Sequence, residues 1–161
     1  MSTGFGDGQT VGAMAGSFDS FVARDGERLR RALVATYGVE VGCDVWAEAL
    51  AWAWEHWERV EGMDQPVGYL FRVGQSASRR HRRWARPLAL APERSIPDAG
   101  DSGAELAEAL ARLTPRQRTV AVLVHGYGWS YGEVAEATAV SVASVRNDLH
   151  RAMKRLRREL G

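Results

Sequence analysis

A chain of 161 residues with 45% hydrophobic and 25% charged side chains has room for one domain or two small ones, and is too apolar to be disordered. Its formal net charge of +1 excludes a uniformly basic polyanion binder, so any nucleic-acid contact must come from how the charge is distributed. Cys43 is the single cysteine, which excludes an internal disulfide and points to a reducing compartment.

The N-terminal stretch "MSTGFGDGQTVGAMAGS" has no basic region followed by an apolar core. It reads as a flexible tail over residues 1–16, not a signal peptide. The longest run without charge, Thr119 to Gly132, is too short and polar to span a bilayer. The expected location is therefore cytoplasmic.

Beyond the tail the apolar spacing is helical throughout. A first helix is expected from residue 17 or 18 to about Tyr37, with Phe18, Phe21, Val22, Leu29 and Leu33 apolar and Gly38 ending it. A second covers about 45–60. Trp46, Ala49, Leu50, Ala53, Trp57 and Val60 share one face, but Trp52 and Trp54 lie off it, so this helix needs partners on more than one side. A third starts after Pro66, a residue suited to the first helical turn, and runs into the basic block "RRHRRWAR" at 79–86. Residues 87–103 carry three prolines and two glycines without periodicity and read as a linker. Four shorter helices follow, at about 104–112, 115–126, 130–138 and 141–159. Thr114-Pro115-Arg116-Gln117 and Ser130-Tyr131-Gly132-Glu133 are the starts of two of them, each with a capping box. The fold class is all-α: two small helical domains, 17–86 and 104–161, joined by a flexible linker.

Charge is segregated along this framework. Residues 40–65 hold Glu40, Asp44, Glu48, Glu55, Glu58, Glu61 and Asp64 against Arg59 alone, whereas residues 141–161 hold six bases against Asp148 and Glu159. In the last helix Val145, Leu149, Ala152 and Leu156 form one narrow apolar stripe, leaving Arg146, Asn147, His150, Arg151 and Lys154 on the other sides. Ala135, Ala139 and Val145 have the spacing of a helix-turn-helix, with a small residue in the first helix, a compact turn and a β-branched lock in the second. An ordinary helical hairpin would use the same small residues. The polar side chains favour DNA, because in a major groove they meet base edges and phosphates. Arg157 and Arg158 fit a solvated face better.

The segment "LTPRQRTVAVLVHGYGWSYGEVAEATAVSVASVRNDLHRAMKRLRREL" resembles the fourth conserved region of extracytoplasmic-function (ECF) sigma factors, the promoter-specificity subunits of bacterial RNA polymerase. Its Trp129-Ser130-Tyr131-Gly132-Glu133-Val134-Ala135-Glu136 and Ser144-Val145-Arg146-Asn147-Asp148-Leu149-His150-Arg151-Ala152 follow the family's helix pair closely. A LuxR-type regulator has a similar terminal domain, so a stand-alone helix-turn-helix regulator is the alternative. The first lobe separates the two. "DVWAEALAWAWEHWERV" and "DQPVGYLFRVGQSASRRHRRW" are similar to the second conserved region of ECF sigma factors, with Asp44, Glu48, Leu50, Trp54, Tyr69, Leu70, Phe71 and Arg72 in register.

The resemblance implies a sigma subunit that directs core polymerase to promoters and helps open the duplex at the −10 element. Residues 17–86 would bind core polymerase and the −10 element, and 104–161 the −35 element. Ser144, Arg146, Asn147, His150, Arg151 and Lys154 would read the −35 element. Met63, Asp64 and Gln65, in the loop from Arg59 to Val67, would wall a pocket for a flipped base. Arg72, Gln75, Ser76, Arg79 and Arg80 would contact the −10 strand. Asp44, Glu48, Leu50 and Trp54 would dock on the clamp helices of the polymerase's largest subunit, where the acidic run suits a basic partner; the second lobe would also touch polymerase. Family members are often held inactive by an anti-sigma factor, a further class of partner that the resemblance admits.

Ala47, Gly74, Ser76, Ala139 and Asp148 depart from the family pattern. Asp148, where the family usually has Arg, would repel phosphate unless it accepts from a cytosine amino group or pairs with Arg151. His56, His81, His125, His150 and Cys43 show no metal-ligand spacing, and "GYGWSYG" follows a helix, so it is no nucleotide cradle. No metal, no cofactor and no enzymatic activity are expected.

Overall fold

The computed structural model describes residues 7–81 and 101–161. Residues 82–86 of the basic block and 87–100 of the expected linker lie outside the described residues, as do the first six residues of the expected tail. Nine α-helices and no strand occur among the described residues. None of these helices is long and apolar enough to cross a membrane.

The helical path begins earlier than the composition suggested: α1 spans Asp7–Phe21, so helix replaces tail from Asp7. A π-helical turn at Val22–Gly26 leads without a break into α2, Glu27–Tyr37. Gly38, at φ 85°, turns the chain into α3, Val39–Glu55, through a backbone region that glycine adopts at little cost. The expected second helix is divided at His56, which leaves the helical region at φ −120°, ψ 28°. The short α4, Trp57–Glu61, follows, and then α5, Pro66–His81.

The first lobe packs α2, α3 and α5 against one another around Leu29, Leu33, Val45, Val60, Val67 and Leu70, all essentially inaccessible. Two glycines set its crossings. A Cβ at Gly42 would lie 2.5 Å from Val34 Cα, and one at Gly74 2.9 Å from Leu33 Cδ2. The departure from the family's alanine at 74 therefore makes room for Leu33.

The second lobe comprises α6 (Asp101–Ala111), α7 (Pro115–Ala121), a π-helical turn at Val122–Gly126, α8 (Tyr131–Thr138) and α9 (Val142–Leu160). Both capping boxes form: Thr114 with Gln117, and Ser130 with Glu133. Arg118 closes the end of α6 by donating to the carbonyls of Leu110 (2.9 Å), Ala111 (3.0 Å) and Leu113 (3.3 Å), groups that a helix C-terminus leaves without intrahelical partners. The two lobes are not separate bodies. α5 lies directly on α8, and Phe71 meets Trp129 edge-on at 5.8 Å, so one hydrophobic core runs through both.

Candidate nucleic-acid and polymerase interfaces

α8 and α9 form the expected helix-turn-helix. Ala135 and Val145 are buried, and Ala139 makes the turn in the left-handed region at φ 55°, ψ 39°. That conformation normally selects glycine, because a Cβ crowds the carbonyl there. Ser141 caps α9 by accepting from the Ser144 amide at 3.1 Å. Val145, Leu149, Ala152 and Leu156 are all buried, as the stripe required. Arg146, Asn147, His150, Arg151 and Lys154 are exposed and Ser144 half-buried. At 100° per residue the five exposed side chains occupy one continuous arc of about 140°, opposite the buried stripe. Tyr131 of α8 sits beside this arc, with the Arg146 guanidinium 5.8 Å from its ring centroid. Spacing alone did not reveal that contact.

Asp148 resolves differently from either expectation. It does not face DNA, and its partner is not Arg151. It turns inward, 4% exposed, and accepts from Arg116 Nε at 2.6 Å and Nη2 at 3.4 Å. The negative charge that appeared to oppose phosphate is thus a tie between α7 and α9. Placed about 200° from Arg146 around α9, Asp148 falls on the buried side of the helix.

In the first lobe, the −10 candidates of α5 lie mostly on one face. Arg72, Gln75, Ser76 and Arg79 span an arc of about 100°. Gln75, Ser76 and Arg79 are exposed, whereas Arg72 is half-covered by α8, with Nη1 2.9 Å from Glu136 Oε1. Arg80 turns towards α3 and pairs with Glu48, which also contacts His81 Nε2 at 2.8 Å. The hydrogen bond from His81 and the charge of Arg80 hold the Glu48 carboxyl below its usual range. A polymerase candidate and a −10 candidate are therefore partners of each other. In the preceding loop Asp64 is exposed, while Met63 and Gln65 are half-buried.

The four polymerase candidates do not share a face. Asp44 and Glu48 lie within about 40° of each other on α3, while Leu50 and Trp54 point about 240–280° away from Asp44. Trp54 packs on α1, edge-on to Phe18 at 5.2 Å, and Leu50 packs against the core. One aromatic group was missed in the sequence. Trp52 stacks on His56 at 4.2 Å and 14° and touches Tyr69 at 5.5 Å, with Arg59 5.7 Å from the Tyr69 centroid. The i,i+4 spacing of Trp52 and His56 was the available signal. The cluster borders a groove of about 570 Å³ between α3 and α5, lined also by Glu48, Ser76 and Arg80.

A helix-turn-helix whose second helix buries one stripe and exposes a basic and amide-bearing arc defines a DNA-binding protein. Residues 103–156 match the family model described as sigma-70, region 4. The chain is 36% identical over 126 residues to the RNA polymerase sigma-E factor of Streptomyces coelicolor, covering 73% of this chain and 70% of that protein. It is 31% identical over 133 residues to the ECF RNA polymerase sigma factor SigL of Mycobacterium tuberculosis, covering 73% and 75% respectively. Among solved structures it resembles CnrH in its complex with the cytosolic domain of CnrY, with TM-score 0.60, 27% identity, and 89% and 86% of the two chains covered. It shares the fold of the sigma factor RpoE in complex with the anti-sigma factor NepR from Bartonella quintana, with TM-score 0.63, 19% identity, and 89% and 96% covered. The chain belongs to the ECF sigma factors of bacterial RNA polymerase. It is a transcription initiation factor that works with core polymerase on promoter DNA, and the LuxR-like alternative finds no support among these relatives.

Proposed function

We propose that α9 reads the −35 element through Ser144, Arg146, Asn147, His150, Arg151 and Lys154. The −10 element would meet the loop at 63–65 together with the α5 face, where Gln75, Ser76 and Arg79 are exposed and Arg72 is half-covered by α8, with Arg80 beside it. Asp44 and Glu48 supply an acidic face for core polymerase, while Leu50 and Trp54 act by holding α3 against its neighbours. The domain division is 17–86 for polymerase and −10 binding and 104–161 for −35 binding. By analogy with its solved relatives the chain would also take an anti-sigma partner. It works in the cytoplasm and catalyses no reaction of its own.

One observation carries this reading: the arc of five exposed polar side chains on α9, opposite its buried stripe. Such an arc offers bidentate donors for guanine from arginine and for adenine from asparagine, with phosphate contacts from the remaining cations.

The test is run-off transcription with purified core polymerase on promoters selected from the source genome. Arg146→Ala with Arg151→Ala should remove about 2 kcal/mol or more of promoter binding, a loss of roughly 30-fold, and should flatten the salt dependence. Scrambling the −35 sequence should cause little further loss in that double variant. Unchanged −35-dependent output from the double variant would overturn the assignment of α9.

A further inference from the structure

Arg157 and Arg158, which the sequence assigned to a solvated face, lie in register with the reading arc of α9. Counted at 100° per residue from Arg146, they stand at about 20° and 120°, inside the arc of about 140° that ends at Arg151. Both are exposed. Arg155, at about 180°, falls outside the arc and is half-buried. One side of the helix is therefore positive from Arg146 to Arg158.

The fold also clears this side of negative charge. α9 carries two acids, Asp148 and Glu159, and arginines from other parts of the lobe take both. Asp148 turns inward to Arg116, and Glu159, at about 220° from Arg146 around the helix, pairs with Arg112 beyond the end of α6. Arg158 only grazes Glu159, at 3.5 Å, and its side chain is 74% exposed. Among the described residues Arg146, Arg151, Lys154 and Arg157 have no ion-pair partner. Lys154 stands three residues before Arg157 and four before Arg158, spacings at which like charges repel on a helix. A polyanion would neutralise that repulsion.

Length decides which anions the end of the stripe can meet. The 19 residues of α9 extend about 28 Å, more than twice the width of a major groove, about 12 Å. In a helix-turn-helix the N-terminal residues of the second helix meet base edges, so the C-terminal end of α9 passes beyond the groove. Arg146 to Lys154 takes up about 12 Å of the axis, one groove width. Arg157 and Arg158 stand about 4.5 and 6 Å further on, where the duplex offers backbone phosphates and no base edge.

We propose that Arg157 and Arg158 form a phosphate clamp on the DNA backbone flanking one side of the −35 element, adding affinity that is independent of base sequence. This rests on the proposed reading of the −35 element by α9. The same helix then divides its work along its axis. Its first half selects the sequence, and its last turn holds the duplex beside it.

The test uses the full chain reconstituted with core polymerase, with binding to promoter fragments measured across a salt series. Each phosphate contact contributes about 0.9 to the slope of log affinity against log salt. Arg157→Gln with Arg158→Gln should therefore lower the slope by about 1.8 and weaken binding about tenfold or more at 0.1 M salt. Glutamine keeps the helix propensity of arginine, and Arg157→Lys with Arg158→Lys should restore most of the slope, since a phosphate contact needs charge. The affinity ratio between intact and scrambled −35 sequences should stay within about twofold in the glutamine variant. On fragments trimmed to the edge of the −35 element, one of the two sides should bring the wild-type protein down to the variant, which should not respond to that trimming. An unchanged salt slope would overturn the clamp. So would a loss of affinity for core polymerase itself at unchanged slope, which would make Arg157, a residue also bordering an apolar groove of about 600 Å³ between α6 and α9, part of a protein interface. If the glutamine variant behaves as wild type while Arg146→Ala with Arg151→Ala loses −35-dependent binding, the clamp fails and the reading by α9 stands. If the wild-type protein binds intact and scrambled −35 sequences equally, both fail together.

Discussion

Asp148 and Arg116 form an ion pair whose two ends sit in different solvent, and the two truncations should therefore be unequal. The Asp148 side chain is 6% exposed and that of Arg116 is 55% exposed. Arg116→Ala leaves a carboxylate on the buried side of α9 without its guanidinium. Stranding a fully buried charge costs about 3–5 kcal/mol; with some solvent reaching Asp148, about 2–3 kcal/mol is expected. Asp148→Ala removes the buried charge itself and releases Arg116 into water. It also replaces a poor helix former with the best one, a gain of about 0.5 kcal/mol. The net loss should stay at or below about 1 kcal/mol, since one charge-assisted hydrogen-bonded pair is exchanged for solvation. Urea denaturation of the full chain reads both values. Arg116→Ala should lower the stability by at least about 1 kcal/mol more than Asp148→Ala, a further fall in melting temperature of about 2–4 °C for a chain of this size. Equal losses, or a larger one for Asp148→Ala, would refute the argument that desolvation of the carboxylate governs this pair.

Two other outcomes can be measured on the same protein. Ala139→Gly should raise stability by about 1 kcal/mol, because φ 55° imposes a left-handed strain of about 1–2 kcal/mol on alanine that exceeds the entropy cost of glycine; a lower melting temperature would contradict this. Glu27, paired with Arg30 and Arg31, has its carboxyl lowered from 4.5 to about 2, with the Arg30 hydrogen bond the largest cause. Its folded pKa is depressed, so its stabilisation is present above pH 4.5 and is lost as pH falls towards 2. A carboxyl NMR titration should place its midpoint well below that of an unpaired glutamate, and Arg30→Ala should bring it back up. The energetic gain should be small, because the pair is solvated.

The local code was legible because it depends on neighbours within a turn or two. Thr114–Gln117 and Ser130–Glu133 form the capping boxes their spacing announced, and the apolar row of α9 is buried at Val145, Leu149, Ala152 and Leu156. Pro66 starts α5 as its fixed φ favours. The helical start at Asp7 was hidden by glycines at Gly8, Gly12 and Gly16, whose low helix propensity suggested a tail. The division of the second helix at His56 carried no glycine or proline to mark it.

Amino-acid order alone therefore determined the class of elements, the helix-turn-helix and the polar arc of α9, since periodicity and caps are short-range properties of the chain. Tertiary structure decided which charges meet: Asp148 with Arg116, Glu48 with Arg80, and Arg28 with Glu133 across 105 positions. It also decided that α5 rests on α8, with Gly68 against the Glu133 carbonyl. Contacts between residues far apart in sequence arise from how helices cross, and no pattern within a single helix encodes the angle or the partner of that crossing.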